Sequence, residues 1–314
     1  QAKTAASTST SQPSAIIVST EPAELIQSKG AASFTNIAGT NLLYVSNSDD
    51  NIFMDISTSK YYVLLSGRWY TSGSLKGAWT FVASDQLPAD FAKIPKGSEK
   101  DAVLASVAGT EEAHDAVVDA QIPQTAKVDR ASATCTVKYN GEPQFEKIEG
   151  TSLYLAKNTS STVLKSGNNY YCVENAVWFK SATPNGPWAV SDERPKDVDN
   201  IPASSEAYNT KYVYIYETTP QYVYVGYTPG YLGCYVYGPV VIYGTGFYYN
   251  PWYGIYYYPR PVTYGFSMHY NPYTGWSIGF HYSVGFFSFH YYTGGYHGFW
   301  GPPIYRPPYY PHYH

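Results

Sequence analysis

Tyr61-Tyr62-Val63, then Gly67-Arg68-Trp69-Tyr70, then Gly77-Ala78-Trp79: this string decides the fold, because it occurs twice. It returns as Tyr170-Tyr171-Cys172, Trp178-Phe179 and Gly186-Pro187-Trp188. The flanks return with it. Ile37-Ala38-Gly39-Thr40, Leu43-Tyr44 and Asn47 lead into the first copy, and Ile148-Glu149-Gly150-Thr151, Leu153-Tyr154 and Asn158 into the second. Pro88, Ile94-Pro95 and Ser98-Glu99 close one, and Pro195, Ile201-Pro202 and Ser205-Glu206 the other. Order and spacing agree apart from slips of one or two residues in loops, which marks an internal repeat.

Each copy reads as a small antiparallel meander. In the first, residues 61–65 are a strand, Ser66-Gly67 a turn and residues 68–71 a second strand. Residues 72–77 form a loop and residues 78–83 a third strand. Trp69 is expected to meet Trp79 across adjacent strands, and Trp178 to meet Trp188, each pair adding about 0.5–1.5 kcal/mol beyond area burial. Two roles are open to these rings: all four are core, or one per copy lies flat on the surface. Between the copies, residues 110–120 predict a helix. Thr110 is its cap, Glu111 and Glu112 sit in its first turn, and Pro123 follows its end. Ala113, Val117 and Ala120 share one face. His114-Asp115 is no catalytic pair, because adjacent helical residues point apart.

The chain changes character after the second copy. Tyr212-Val213-Tyr214-Ile215-Tyr216 and Tyr222-Val223-Tyr224-Val225 alternate on either side of Thr218-Thr219-Pro220-Gln221. That predicts a hairpin with Tyr on one face and Val or Ile on the other. Further on, Phe266-Ser267-Met268-His269-Tyr270 precedes a turn at residues 271–275. Trp276, Ile278, Phe280, Tyr282, Val284 and Phe286 then alternate with Ser277, Gly279, His281, Ser283 and Gly285. Large groups fall on one face of such a ribbon and small or imidazole groups on the other. The fold class expected is mainly β: two tandem small antiparallel repeats with one short helix between them, followed by Tyr/Gly-rich hairpins. The divisions are a flexible leader (1–14), the first repeat with the helix (15–130), the second repeat (131–226), the Tyr/Gly-rich region (227–301) and a Pro-rich extended end (302–314). Ile16-Ile17-Val18 reads as a strand after the leader, pairing with its own domain or with a neighbour's open edge.

Composition removes several function classes. The 314 residues include 36 Tyr, and 18% are aromatic but only 14% charged, against about a quarter charged in average chains. A net charge of −4 gives no basic footprint for nucleic acid, and no Lys/Arg stripe accompanies the aromatics. No apolar run is long enough for a transmembrane helix. No signal peptide is visible, and a start at Gln1 implies that an upstream piece has been removed. There is no G-x-S-x-G and no phosphate-binding glycine loop. No Asp or Glu follows Glu217, which argues against paired-carboxylate hydrolysis in the tail. Neither an enzyme nor a cofactor is expected. Six of the seven His lie in the tail (His269, His281, His290, His297, His312, His314), without the supporting Cys or carboxylate of a dedicated metal site. Cys135, Cys172 and Cys234 form no C-x-x-C motif. They are either three buried thiols or one disulfide, such as Cys135–Cys172, plus a leftover thiol.

The string from Tyr62 to Trp79, echoed from Tyr171 to Trp188, is similar to small chitin- and cellulose-binding modules of families V and XII. The whole layout resembles a group of secreted bacterial proteins with two such repeats, an Ile-Pro segment and a Tyr/Gly-rich tail. The resemblance implies polysaccharide binding, with Trp69, Tyr70, Trp79, Trp178, Phe179 and Trp188 as stacking residues. The residues themselves favour a different role. From Pro261 to Gly301 there is no Lys, Arg, Asp or Glu, whereas soluble sheets guard their edges with charge, Pro or bulges. The expectation is a secreted, extracellular or cell-surface structural protein that self-associates into a filament or layer. Its assembly surface would comprise Ile16, Ile17, Val18, Phe266, Tyr270, Trp276, Ile278, Phe280, Tyr282 and Phe286. The partners expected are identical subunits, with polysaccharide as the alternative.

Overall fold

A computed structural model describes residues 26–232, 234–243, 266–271, 275–284 and 287–293. The chain is mainly β, as its patterning requires. The first sheet is an up-and-down meander of six strands: β1 (Phe34–Asn36), β2 (Leu42–Val45), β3 (Asn51–Asp55), β4 (Lys60–Leu65), β5 (Arg68–Ser72) and β6 (Thr80–Val82). The β4–β5 turn places Ser66 at φ 50° and Gly67 at φ 78°, both positive as a two-residue type I′ hairpin requires. Gly67 meets a second demand as well, since a Cβ there would lie 2.7 Å from the Val241 carbonyl oxygen. Alternation sends Tyr62 and Trp69 to one face, against Phe53, Phe91 and Leu104. Val63 goes to the other, with Val45 and Ile52.

After the first sheet come α1 (Glu111–Asp119) and β7 (Gln124–Asp129). The Thr110 hydroxyl accepts the Ala113 N–H at 3.1 Å, which caps the helix as its sequence implies. Ala113, Ala116 and Ala120 are buried, while Val117 is only half-buried. His114 and Asp115 lie on the solvent side.

The second sheet is again a six-stranded meander: β8 (Phe145–Lys147), β9 (Tyr154–Ala156), β10 (Thr162–Ser166), β11 (Asn169–Glu174), β12 (Val177–Ser181) and β13 (Ala189–Val190). Local bonds match between the sheets. The Thr40 and Thr151 hydroxyls donate to the Ile37 and Ile148 carbonyls at 2.8 and 2.9 Å. Asn47 and Asn158 each donate to two carbonyls of the segment entering their sheet. One face of the second sheet packs Leu153, Leu164, Tyr171 and Trp178 against Ile201, Val213 and Tyr227.

The other face is roofed by a third sheet, ordered β14 (Val213–Thr218), β15 (Tyr222–Tyr227), β7. Val223, Val225, Ala126 and Val128 point down onto Val163, Cys172, Val177 and Phe179. The Arg130 Nε–H donates to the Thr219 carbonyl at 2.9 Å, and the same guanidinium pairs with Asp192. These contacts run across the division expected at residue 130, because β7 precedes it and pairs throughout with β15.

The two-stranded sheet of β16 (Cys234–Tyr237) and β17 (Val240–Tyr243) makes contacts that also run across an expected division. Tyr235, Val240 and Ile242 pack on Ala113 of α1, beside Tyr208 and Tyr212. Three strands complete the described chain: β18 (Phe266–Asn271), β19 (Gly275–Val284) and β20 (Phe287–Thr293), in that order in an antiparallel sheet. The expected turn falls between Asn271 and Gly275, which are Cα partners. Ile16-Ile17-Val18, Phe286 and the Pro-rich end lie outside the described residues.

Candidate functional site

The six stacking candidates separate by burial. Trp69 is 1% exposed, Trp178 0% and Phe179 2%. The Trp69 Nε1–H donates to the Ser106 carbonyl at 2.7 Å, and the Trp178 Nε1–H to the Val213 carbonyl at 3.1 Å. Both indoles are thus enclosed and hydrogen-bonded, as a buried Trp demands. None of these three rings has a face to offer a sugar.

Tyr70, Trp79 and Trp188 are half-buried. The Trp69–Trp79 and Trp178–Trp188 contacts expected from sequence do not form. The Cα partner of Trp69 is Val82, and the two rings of each pair pack on opposite faces of their sheet. The two copies also differ. Tyr70 sits on a partly open face with Trp79, and its ring meets the exposed Phe81 at 6.1 Å. Phe179, its counterpart in the repeat, is sealed beneath the β14–β15–β7 sheet. The repeat therefore does not provide two matching aromatic modules.

The roof itself carries an aromatic face outside the predicted set. With Val223 and Val225 pointing down, Tyr222 and Tyr224 point out, and so do Tyr214 and Lys127. A bulge between Ile215 and Glu217 leaves Tyr216 on the surface, 52% exposed. The Tyr214 and Tyr216 rings lie 6.1 Å apart at 31°. Lys127 Nζ stands 3.9 Å from the Tyr222 ring centre, and Arg194 Cζ 5.1 Å from that of Tyr214. Each cation sits within range of the ring's negative face. The signal was legible in the Tyr/Val alternation of residues 212–225. What the sequence does not reveal is which face β7 and the second sheet would cover.

Between the first repeat and the tail lies a tyrosine cluster of another kind. The Tyr212 ring covers Gly230, where a Cβ would lie 2.3 Å from it. Burial, followed by a hydrogen bond with Tyr208, pushes the Tyr212 hydroxyl well above the usual phenol range. Burial likewise pushes Tyr231 up to about 12, opposed by the Ala176 N–H it accepts. Such phenols stay neutral at any physiological pH and serve packing.

For the assembly candidates in the tail, the pairing fixes register. Phe266 opposes Phe280, Tyr270 opposes Trp276, Phe280 opposes Tyr291 and Tyr282 opposes Phe289. Ile278 lies between Met268 and Thr293. His281 opposes His290 across β19 and β20. Among the described residues no three or more His, Cys, Asp or Glu side chains group to hold a metal ion. No described helix is long and apolar enough to cross a membrane. No family model matches the chain, and neither does any curated protein or solved structure.

Proposed function

We propose that this protein is a secreted, non-enzymatic structural protein that self-associates through its carboxy-terminal strands into an extracellular filament or surface layer. The observation that supports this reading best is the β18–β19–β20 sheet. β18 and β20 are its edge strands, and no charged residue occurs anywhere from Pro261 to Gly301. An edge strand that carries no charge is a template for another strand. Aromatic and aliphatic surface of this density is driven out of water at roughly 25 cal/mol per Å² buried. A contact of this type that does not close on itself extends into a filament. In the full-length chain, Ile278→Lys with Phe280→Asp should abolish sedimentation of assembled material and leave the repeats folded by circular dichroism. Unchanged sedimentation would remove the tail from the interface.

A second reading, polysaccharide binding, draws on the resemblance to family V and XII modules and on the outward face of Tyr214, Tyr216, Tyr222 and Tyr224. Flat rings on a rigid sheet suit stacking on sugar rings better than the buried indoles do. Full-length protein carrying Tyr216→Ala and Tyr224→Ala should lose retention on chitin, cellulose or peptidoglycan. Wild-type retention on none of these, or equal retention of the variant, would count against this face as a glycan site.

A further inference from the structure

At one core position the second repeat carries a cysteine. Cys172 stands where the first copy has Val63, and both are fully buried. Cys172 sits mid-strand in β11, with Val163 and Phe179 as its Cα partners. It faces the side of the sheet packed with Val163, Val177 and Phe179.

Residues 133–139 cross that same side in extended form. Ala133, Cys135, Val137 and Tyr139 turn inward onto the cluster, while the residues between them are exposed. Both ends of this arm are pinned. The Ala133 N–H donates to the Asp129 carbonyl at 3.1 Å. At the other end Tyr139 bridges Thr159, and its hydroxyl donates to the Pro184 carbonyl at 3.1 Å. Cys135 is held between these anchors and packs against the cluster that contains Cys172. The neighbouring Cys135, and then burial, push the Cys172 thiol well above its usual range. The Tyr139 hydroxyl feels both sulfurs and is itself pushed up, chiefly by burial. Cys234 is fully buried elsewhere, next to strand β17.

We infer that Cys135 and Cys172 form a disulfide that fastens the 133–139 arm across the second sheet, leaving Cys234 as a free thiol. In the present structure the two sulfurs are unbridged. Closing the bridge removes two protons and two electrons from the thiols. The electrons pass to a disulfide-bearing oxidant, which is released as two thiols. The order of attack follows exposure: Cys135 is half-buried and reachable, and Cys172 resolves the mixed disulfide from within the core. Cys172 alone would be an ordinary small core residue, as Val63 is. A second cysteine turned inward from the arm onto the same cluster sets the two apart from an isolated core thiol. The inference is independent of the assembly reading, because it concerns one chain.

Thiol counting on the full-length protein tests it. Reduced protein is incubated with glutathione disulfide, denatured, tagged with maleimide and weighed by mass spectrometry, then digested without reductant. The expected result is one tag, on Cys234, and a cross-linked peptide pair containing Cys135 and Cys172. Cys234→Ser should carry no tag after oxidation, and Cys135→Ser should carry two. Three tags on oxidised wild type, stable glutathione adducts in place of the link, or a link to Cys234 would each overturn the inference.

Discussion

Trp69 and Trp178 are the residues on which the two repeats close. Each fills its core and satisfies its indole N–H with a carbonyl from the segment that covers the sheet, Ser106 in one copy and Val213 in the other. Trp69→Ala or Trp178→Ala should therefore cost about 3–5 kcal/mol, the range for truncating a buried aromatic. Trp79→Ala should cost less, because that ring is half-exposed. Urea unfolding of the variants checks the order, and equal costs would contradict it. The buried phenols set a pH limit. Burial raises the Tyr231 pKa from the ordinary phenol value of 10.0 to about 12. In the unfolded chain this group ionises near its ordinary value, so over that interval the unfolded state binds fewer protons than the native one. Its contribution to stability is complete below the unfolded pKa and is lost as pH rises through the folded one. Tyr139, Tyr171, Tyr212 and Tyr235 are also raised, with burial the largest cause in each. Ultraviolet titration should show a subset of tyrosines ionising only with alkaline unfolding. A single smooth phenol titration that precedes unfolding would contradict this.

At the scale of elements, the β4–β5 hairpin combines a turn requirement with a packing requirement. Gly67 has positive φ and also lies against the backbone of β17. Gly67→Ala should destabilise by more than about 1 kcal/mol, the strain of φ > 0 alone being of that order. A thermal scan reads the shift, and an unchanged Tm would mean that β17 does not rest on this turn. Much of this level was legible in sequence. The Ser66-Gly67 turn, the Thr110 cap, the hairpin of residues 212–225 and the Asn271–Gly275 reversal all follow from local chemistry and period. Sequence missed what depends on distant partners. Strands β1 to β3 are short, and β1 is exposed throughout, so they carry little pattern of their own. The pairing of β7 with β15 joins segments far apart in the chain. The burial of Phe179 follows from that pairing, which no local pattern around Trp178-Phe179 reveals.

Across the whole molecule, two kinds of aromatic surface coexist. In the repeats, Trp69 and Trp178 are enclosed with their indole N–H groups matched. On the roof, Tyr rings face outward under the cover of Lys127 and Arg194. In the carboxy-terminal sheet, three strands without a single charged residue end at two edges. The self-association proposed above would bury those strands against a second copy. Sedimentation velocity of the purified full-length protein over a wide dilution series, with electron micrographs of the heaviest fraction, tests this most directly. The account predicts a distribution that shifts to large species as concentration rises, with regular filaments or sheets in the micrographs. A single monomeric boundary at every concentration would contradict it.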